Sequence, residues 1–258
     1  MLATRLIVCL DVQGARVVKG VRFEGLRDVG DPVALSALYE LEGADEIFFL
    51  DISASAEERA TLLDVATRTA ERLFIPLSIG GGVRSASDVA RVLRAGADKV
   101  SLNSAAVARP ELLTEAAHRF GAQCIVASID AKRCGNGAWK VWVKGGREET
   151  PLDVVSWAQE CVARGAGEIL LTSIDRDGVR TGYDVELTRA VSSAVAVPVI
   201  ASGGAGAASH LVDAVAQGGA DAVLVAGILH DRVTTVVALK QYMHEAGVTM
   251  RPVLEAAA

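Results

Sequence analysis

The feature that most constrains this chain is an alternation, repeated eight times, of a short apolar run with a longer amphipathic one. The short runs begin near Arg5, Glu46, Pro76, Asp98, Gln123, Glu168, Val197 and Asp221, and most are rich in Val, Ile or Leu. Such runs predict buried strands. Helical patterns lie between them at Val33–Glu42, Glu57–Leu73, Ser87–Arg94, Pro110–Arg119, Leu152–Ala163, Val185–Val195, Ser209–Ala216 and Thr234–Glu245. Strict β/α alternation predicts a parallel sheet covered by helices. Eight units in 258 residues is the count for one closed (β/α)8 TIM barrel, with an open doubly wound sheet as the structural competitor.

An internal repeat favours the barrel. Pro76–Gly82 answers Pro198–Gly204 at an offset of 122 residues, Gly96-Ala97-Asp98 answers Gly219-Ala220-Asp221 at 123, and Leu10-Asp11 answers Ile129-Asp130 at 119. Each match alone is weak, because α/β proteins reuse apolar strands and Gly-Ala-Asp turns; three at nearly one offset predict two duplicated (β/α)4 halves. Residues 1–251 then form the barrel and 252–258, rich in alanine, a frayed tail. A duplicated barrel sets corresponding motifs on opposite sides of one mouth.

Composition narrows the function. The formal net charge of −6, from 26 basic and 32 acidic side chains, argues against a general nucleic-acid binder. The apolar run Leu6–Leu10 is too short to span a bilayer and no cleavage pattern follows it, so a cytoplasmic protein is expected. Cys9, Cys124, Cys134 and Cys161 lack C-x-x-C spacing, and His118, His210, His230 and His244 lack metal-ligand spacing or a Ser or Cys partner. Incidental thiols and structural histidines are expected, with no metal and no cofactor.

Asp11 and Asp130 sit at the ends of the first and fifth predicted strands, on the same faces as Ile7 and Cys9 and as Val126 and Ser128. Barrel chemistry is done at that rim, and two carboxylates can divide acid and base roles there; a lone strand-end Asp would more simply cap a turn. Gly80-Gly81-Gly82 and Gly203-Gly204 with Gly206 follow strands three and seven, and Asn103-Ser104 and Ala226-Gly227 come one unit later. Glycines let backbone N–H groups approach an anion, although each run is also readable as a tight turn. Two equivalent runs predict two phosphate cradles and a substrate with phosphate at both ends.

Arg5, Glu46, Lys99 and Glu168 lie at strand starts, two charges of each sign that could close a neutral ring. Solvated strand-end charges are the alternative, since burying four charges is costly unless they pair. The segment 12–31, with Arg16, Lys19, Arg22 and Arg27, is long for a βα turn and reads as a mobile basic lid in which Lys19 stands out. Trp139-Lys140-Val141-Trp142 predicts a small hairpin after strand five, and Asp175-Arg176-Asp177-Gly178 a loop after strand six.

Cys9-Leu10-Asp11-Val12, Val17-Val18-Lys19-Gly20, Phe49-Leu50-Asp51-Ile52-Ser53-Ala54, Ala97-Asp98-Lys99-Val100-Ser101, Ile129-Asp130-Ala131-Lys132-Arg133 and Gly165–Gly178 together carry a specific likeness. Over nearly all of residues 1–251 the chain resembles the cyclase subunits of imidazole glycerol phosphate synthase, lyases of histidine biosynthesis. That resemblance implies a half-barrel duplication and a formimino-linked ribulosyl aminoimidazole carboxamide ribonucleotide as bisphosphate substrate. It further implies a glutaminase partner docked on the N-terminal face of the barrel, with ammonia crossing the interior.

By the same resemblance Asp11 and Asp130 are the acid/base pair and Lys19 the lid lysine. One phosphate falls to Gly82, Asn103 and Ser104, and the other to Asp177, Gly178, Gly204, Ala226 and Gly227. Arg5, Glu46, Lys99 and Glu168 become an ammonia gate, and Asp98 part of the partner surface. The chain departs from the family pattern in Ser78 for a frequent threonine, in Pro151 for a usual glycine, and in Gly227 where a serine hydroxyl often helps hold phosphate. The rivals are the sister isomerase of the same pathway, which needs no ammonia, and a non-catalytic phosphosugar scaffold. Gly165–Gly178 and the charged quartet argue against the first, the two aspartates against the second.

Overall fold

A computed structural model describes residues 3–21, 24–52, 56–135 and 137–253. Arg22, Ser53, Ala54 and the tail residues 254–258 lie outside them. The strands in chain order are β1 (Arg5–Gln13), β2 (Arg16–Val21), β3 (Glu24–Gly30), β4 (Glu46–Asp51), β5 (Leu77–Gly80), β6 (Lys99–Leu102), β7 (Ile125–Arg133), β8 (Trp139–Val143), β9 (Glu148–Asp153), β10 (Glu168–Ser173), β11 (Val199–Ser202) and β12 (Ala222–Val225). Eight of them pair in parallel around a closed circuit, β1-β4-β5-β6-β7-β10-β11-β12 and back to β1. The fold is the (β/α)8 barrel, and the open-sheet competitor is excluded by that closure. Each barrel strand starts within two residues of its predicted position.

The helices are α1 (Pro32–Leu41), α2 (Ala56–Ala70), α3 (Ala86–Arg94), α4 (Ser104–Ala108), α5 (Glu111–Phe120), α6 (Val154–Ala163), α7 (Val185–Ser192), α8 (Ala208–Ala216), α9 (Gly227–His230) and α10 (Val236–Glu245). All but the short α4 and α9 were readable from apolar periodicity; a helix of four or five residues shows too little period to be read. The alternating residues of the barrel strands divide the core in two. Leu6, Val8, Leu10, Ile47, Phe49, Ile79 and Val100 face the helices within the larger cluster. Ile7, Cys9, Phe48, Val126, Leu170, Ile200, Ala222 and Leu224 fill the barrel itself.

Duplication is visible bond by bond. Asp98 accepts from the Leu77 amide and Asp221 from the Val199 amide, both at 2.9 Å, so each clamps the start of the preceding strand. Asp31 caps α1 through the Ala34 amide and Asp153 caps α6 through Ser156, again both at 2.9 Å. Gly81 and Gly203 share a left-handed φ, +93° and +88°, and a Cβ would lie 2.1 Å from the Asp51 carbonyl oxygen at the first and 2.8 Å from that of Ser173 at the second. Only glycine fits either turn.

Two expectations about the loops need correction. Segment 12–31 is not a loop throughout but carries the antiparallel hairpin β2–β3, because β1 runs on to Gln13 and pairs Val12 with Val17. Likewise β7 runs on to Arg133 and pairs with β8. Asp11 and Asp130 therefore lie within their strands, where barrel pairing gives way to hairpin pairing, rather than at strand ends. The hairpin expected around Trp139 is present as β8–β9, with Lys132 and Arg133 stacked on Trp142 and Trp139 at 4.7 Å each.

Candidate active site

At the C-terminal mouth the carboxylates of Asp11 and Asp177 act on Lys19, and Asp177 acts on Asp130 as well. The β2 hairpin lays Lys19 inward, its Nζ 3.2 Å from Asp11 Oδ2. Burial pulls the Lys19 ammonium down, but Asp11, Cys9 and Asp177 outweigh it and hold its pKa above the ordinary lysine value. Asp130 is of a different kind. It accepts a hydrogen bond from Asn103 Nδ2 at 2.9 Å, and burial, reinforced by the negative charge of Asp177, pushes it up to about 6. Asp177 is raised too, first by burial and then by Asp11, against the pull of Lys19 and a hydrogen bond from the Gly178 amide.

Two strand-derived carboxylates in unlike environments, one ion-paired and one holding its proton toward neutrality, are what acid/base chemistry at one substrate requires.

The glycine turns flank these groups. Gly82 follows β5 and Gly204 follows β11, while Asn103-Ser104 and Ala226-Gly227 follow β6 and β12. The latter pair share an uncommon backbone, φ −125°, ψ −100° at Asn103 and φ −138°, ψ −81° at Ala226. Asn103 Oδ1 is buried without a hydrogen-bond partner, so the amide keeps an unused acceptor inside the mouth. Ser104 Oγ accepts from the Lys144 amide at 2.9 Å, which brings the turn of the β8–β9 hairpin over that side.

At the opposite end of the barrel the charged quartet is closed. Lys99 Nζ lies 2.9 Å from Glu46 Oε2 and 2.8 Å from Glu168 Oε2; Arg5 Nη1 lies 2.8 Å from Glu46 Oε2, and its other terminal nitrogen bonds Glu168. Ser78 Oγ donates to the remaining Glu46 oxygen at 2.5 Å. Glu46 and Glu168 are buried, so the reading as solvated strand-end charges is overturned by a satisfied ring. Above it stand the apolar side chains that fill the barrel.

Arg180, Asp231 and His230 join the site without any local sequence signal that marks them. His230 is buried on α9, its Nδ1 2.8 Å from the Tyr39 hydroxyl and its Nε2 3.0 Å from the Cys9 carbonyl oxygen, and burial, with Lys19 nearby, pulls it down to about 4. It is a neutral structural histidine, as expected, but one that supports the strand carrying Asp11. Asp231 bonds both Arg27 of the hairpin and Arg180 of the β10–α7 loop. Their pairing links positions about 50 and 200 residues apart, which no local pattern discloses. Among the described residues no group of three His, Cys, Asp or Glu is arranged to hold a metal, and no helix is long and apolar enough to cross a membrane.

Fold and site together define a barrel of the kind that houses enzymes, with the carboxylates of Asp11, Asp130 and Asp177 at its mouth between two glycine turns and a closed ring of charges at its base. Comparison with known proteins gives the family. Residues 5–235 match the family model described as "Histidine biosynthesis protein", and the chain belongs to that family. It is 70% identical to the imidazole glycerol phosphate synthase subunit HisF of Myxococcus xanthus (strain DK1622), over 97% of this chain and 99% of that one. To the subunit of the same name from Synechococcus sp. (strain CC9605) it is 57% identical, over 98% of this chain and all of the other.

Proposed function

We propose that this chain is the cyclase subunit of a cytoplasmic imidazole glycerol phosphate synthase. It takes ammonia from a glutaminase partner and converts the formimino-ribulosyl aminoimidazole carboxamide ribonucleotide to imidazole glycerol phosphate and aminoimidazole carboxamide ribonucleotide. The observation that carries the reading is the unlike pair of carboxylates: Asp11 beside Lys19, and Asp130 half-buried with its pKa near 6. In this reading Asp130, whose raised pKa lets it pick up and pass on a proton, relays one to the departing nitrogen, and Asp11 takes and returns protons during imine formation and ring closure, with Lys19 holding its carboxylate in place.

Gly82, Asn103 and Ser104 would hold one phosphate. Asp177 and Gly178, with Gly204, Ala226 and Gly227, would frame the other. The unused Asn103 acceptor suits a protonated substrate group. Arg5, Glu46, Lys99 and Glu168 would be the ammonia gate; a small neutral molecule passing them meets the apolar interior around Ile7, Phe48 and Leu224. Leu41 and Phe74, 80% and 93% exposed, lie at the same end of the barrel, in segments that lead into β4 and β5, and offer apolar contact to a partner there. Asp98, just before β6, is exposed as well.

The test is turnover of that substrate by the purified chain at alkaline pH with ammonium salt or with glutamine. Product with ammonium and none with glutamine supports the reading. Isomerisation of the unopened ribosyl precursor without cyclisation would assign the chain to the sister isomerase instead.

A further inference from the structure

The two halves share the backbone of their matching turns but differ in their side chains. Asn103 and Ala226 adopt the same backbone, but the next residue is Ser104, with a hydroxyl, in the first half and Gly227, with none, in the second. The space over Gly227 is occupied from another direction. A Cβ placed there would lie 3.4 Å from Arg180 Nη2 and 3.8 Å from Lys19 Cε, so two cationic side chains converge on the turn.

The Arg180 segment is seated on the second cradle. The Gly182 amide donates to the Gly204 carbonyl at 2.9 Å, and a Cβ at Gly206 would lie 2.0 Å from the Arg180 carbonyl oxygen. Arg180 itself has φ +58°, a left-handed conformation that a non-glycine residue holds only where its surroundings demand it. Its guanidinium bonds Asp231, the carboxylate that Arg27 also bonds, so two guanidinium groups share one carboxylate.

We infer that Arg180 is a substrate-binding residue: its guanidinium, next to Gly227, holds the phosphate of the second cradle in place of the hydroxyl that Ser104 supplies in the first. Asp231 occupies the guanidinium until that phosphate arrives. Guanidinium suits this exchange, since its several N–H donors can turn from one carboxylate to a phosphate. The inference rests on the bisphosphate reading of the site.

The experiment is steady-state kinetics of the full chain with the bisphosphate substrate and ammonium, for wild type, Arg180→Gln, and Arg180→Gln combined with Gly227→Ser, with thermal melts of each. Loss of one charged phosphate contact should raise KM about tenfold while kcat stays within about twofold, because the phosphate is bound equally in ground and transition states. A serine at 227 should recover at least about threefold of that loss, which a merely structural role would not produce. An unchanged KM in Arg180→Gln, a collapse of kcat with KM unchanged, or no recovery from the serine would each overturn the inference and leave the reading of the site intact. Absence of wild-type turnover with ammonium would instead overturn that reading. If Arg180→Gln melts early, Arg180→Met and Arg180→Lys replace it: a raised KM in the methionine variant with a near-wild-type KM in the lysine variant supports the role of the charge, and an unchanged KM in the methionine variant overturns it.

Discussion

Replacing Asp130 by asparagine should make the protein more stable and nearly inactive. Burial raises the Asp130 carboxyl from 3.8 to about 6. At about 1.4 kcal/mol per unit, holding it ionised in the folded state at pH 8 costs up to about 3 kcal/mol, discounted to about 1–2 kcal/mol because the mouth is open to water. Asparagine removes the charge and still presents an oxygen to Asn103 Nδ2, so Asp130→Asn should gain about 1–2 kcal/mol at pH 8, or roughly 3–6 °C in Tm. Turnover should fall by about 10²–10⁴, the contribution of a positioned proton donor.

The pH dependence has a definite sign. Between about pH 4 and 6 folded Asp130 keeps a proton that the unfolded chain has lost, so this group lowers stability as pH rises through that window. His230, pulled from 6.5 to about 4, acts oppositely: the unfolded chain binds a proton that the folded one refuses, so stability rises with pH over the same window. The two terms nearly cancel in the wild type. In Asp130→Asn the histidine contribution is no longer offset, and stability should fall by roughly 1–2 kcal/mol more than in wild type from pH 6.5 to 4. Urea melts from pH 4 to 8, with ammonium-driven turnover at pH 8, make the test. An asparagine variant no more stable than wild type at pH 8, or one that keeps its kcat, would refute the reasoning.

Other substitutions probe the frame and the gate. Lys240 is buried on α10, 2.8 Å from both Asp45 Oδ1 and the Gly43 carbonyl oxygen, while the other Asp45 oxygen accepts from the Leu6 amide; Lys240→Ala strands that carboxylate and should cost about 3 kcal/mol or more in a urea melt. Lys99→Ala leaves Glu46 and Glu168 with Arg5 as their one cationic partner and should cost about 2 kcal/mol. In complex with a glutaminase it should also change the ratio of glutamine-driven to ammonium-driven turnover, and an unchanged ratio would remove the gate assignment. Gly81→Ala drives a Cβ to within 2.1 Å of the Asp51 carbonyl oxygen, and its thermal melt should show a loss above about 2 kcal/mol.

Much of this molecule is legible without coordinates, for a physical reason. Strand and helix depend on local apolar period, and the duplication on the recurrence of Gly-Gly and Gly-Ala-Asp at one spacing, so the eight barrel strands and eight longer helices could be placed to within three residues. The four strand-start charges, the two aspartates and the glycine turns were likewise readable, since rim and floor of a barrel are defined by strand direction.

The remainder depended on distance in space. Whether Arg5, Glu46, Lys99 and Glu168 pair or dissolve in solvent is decided by four strands meeting around one axis, and only closure of the barrel brings their charges within 2.8–2.9 Å. The pKa of Asp130 follows from what is packed around it, and the convergence of Arg27 and Arg180 on Asp231 from three distant segments. The hairpin within segment 12–31 came from β1 continuing past Asp11, a pairing no local period encodes. Sequence by itself determined the order and kind of the elements, because these follow from local burial and backbone preference; tertiary structure alone decided which charges are partnered and which carboxylate keeps its proton, because electrostatics depends on separation and solvent access rather than position along the chain.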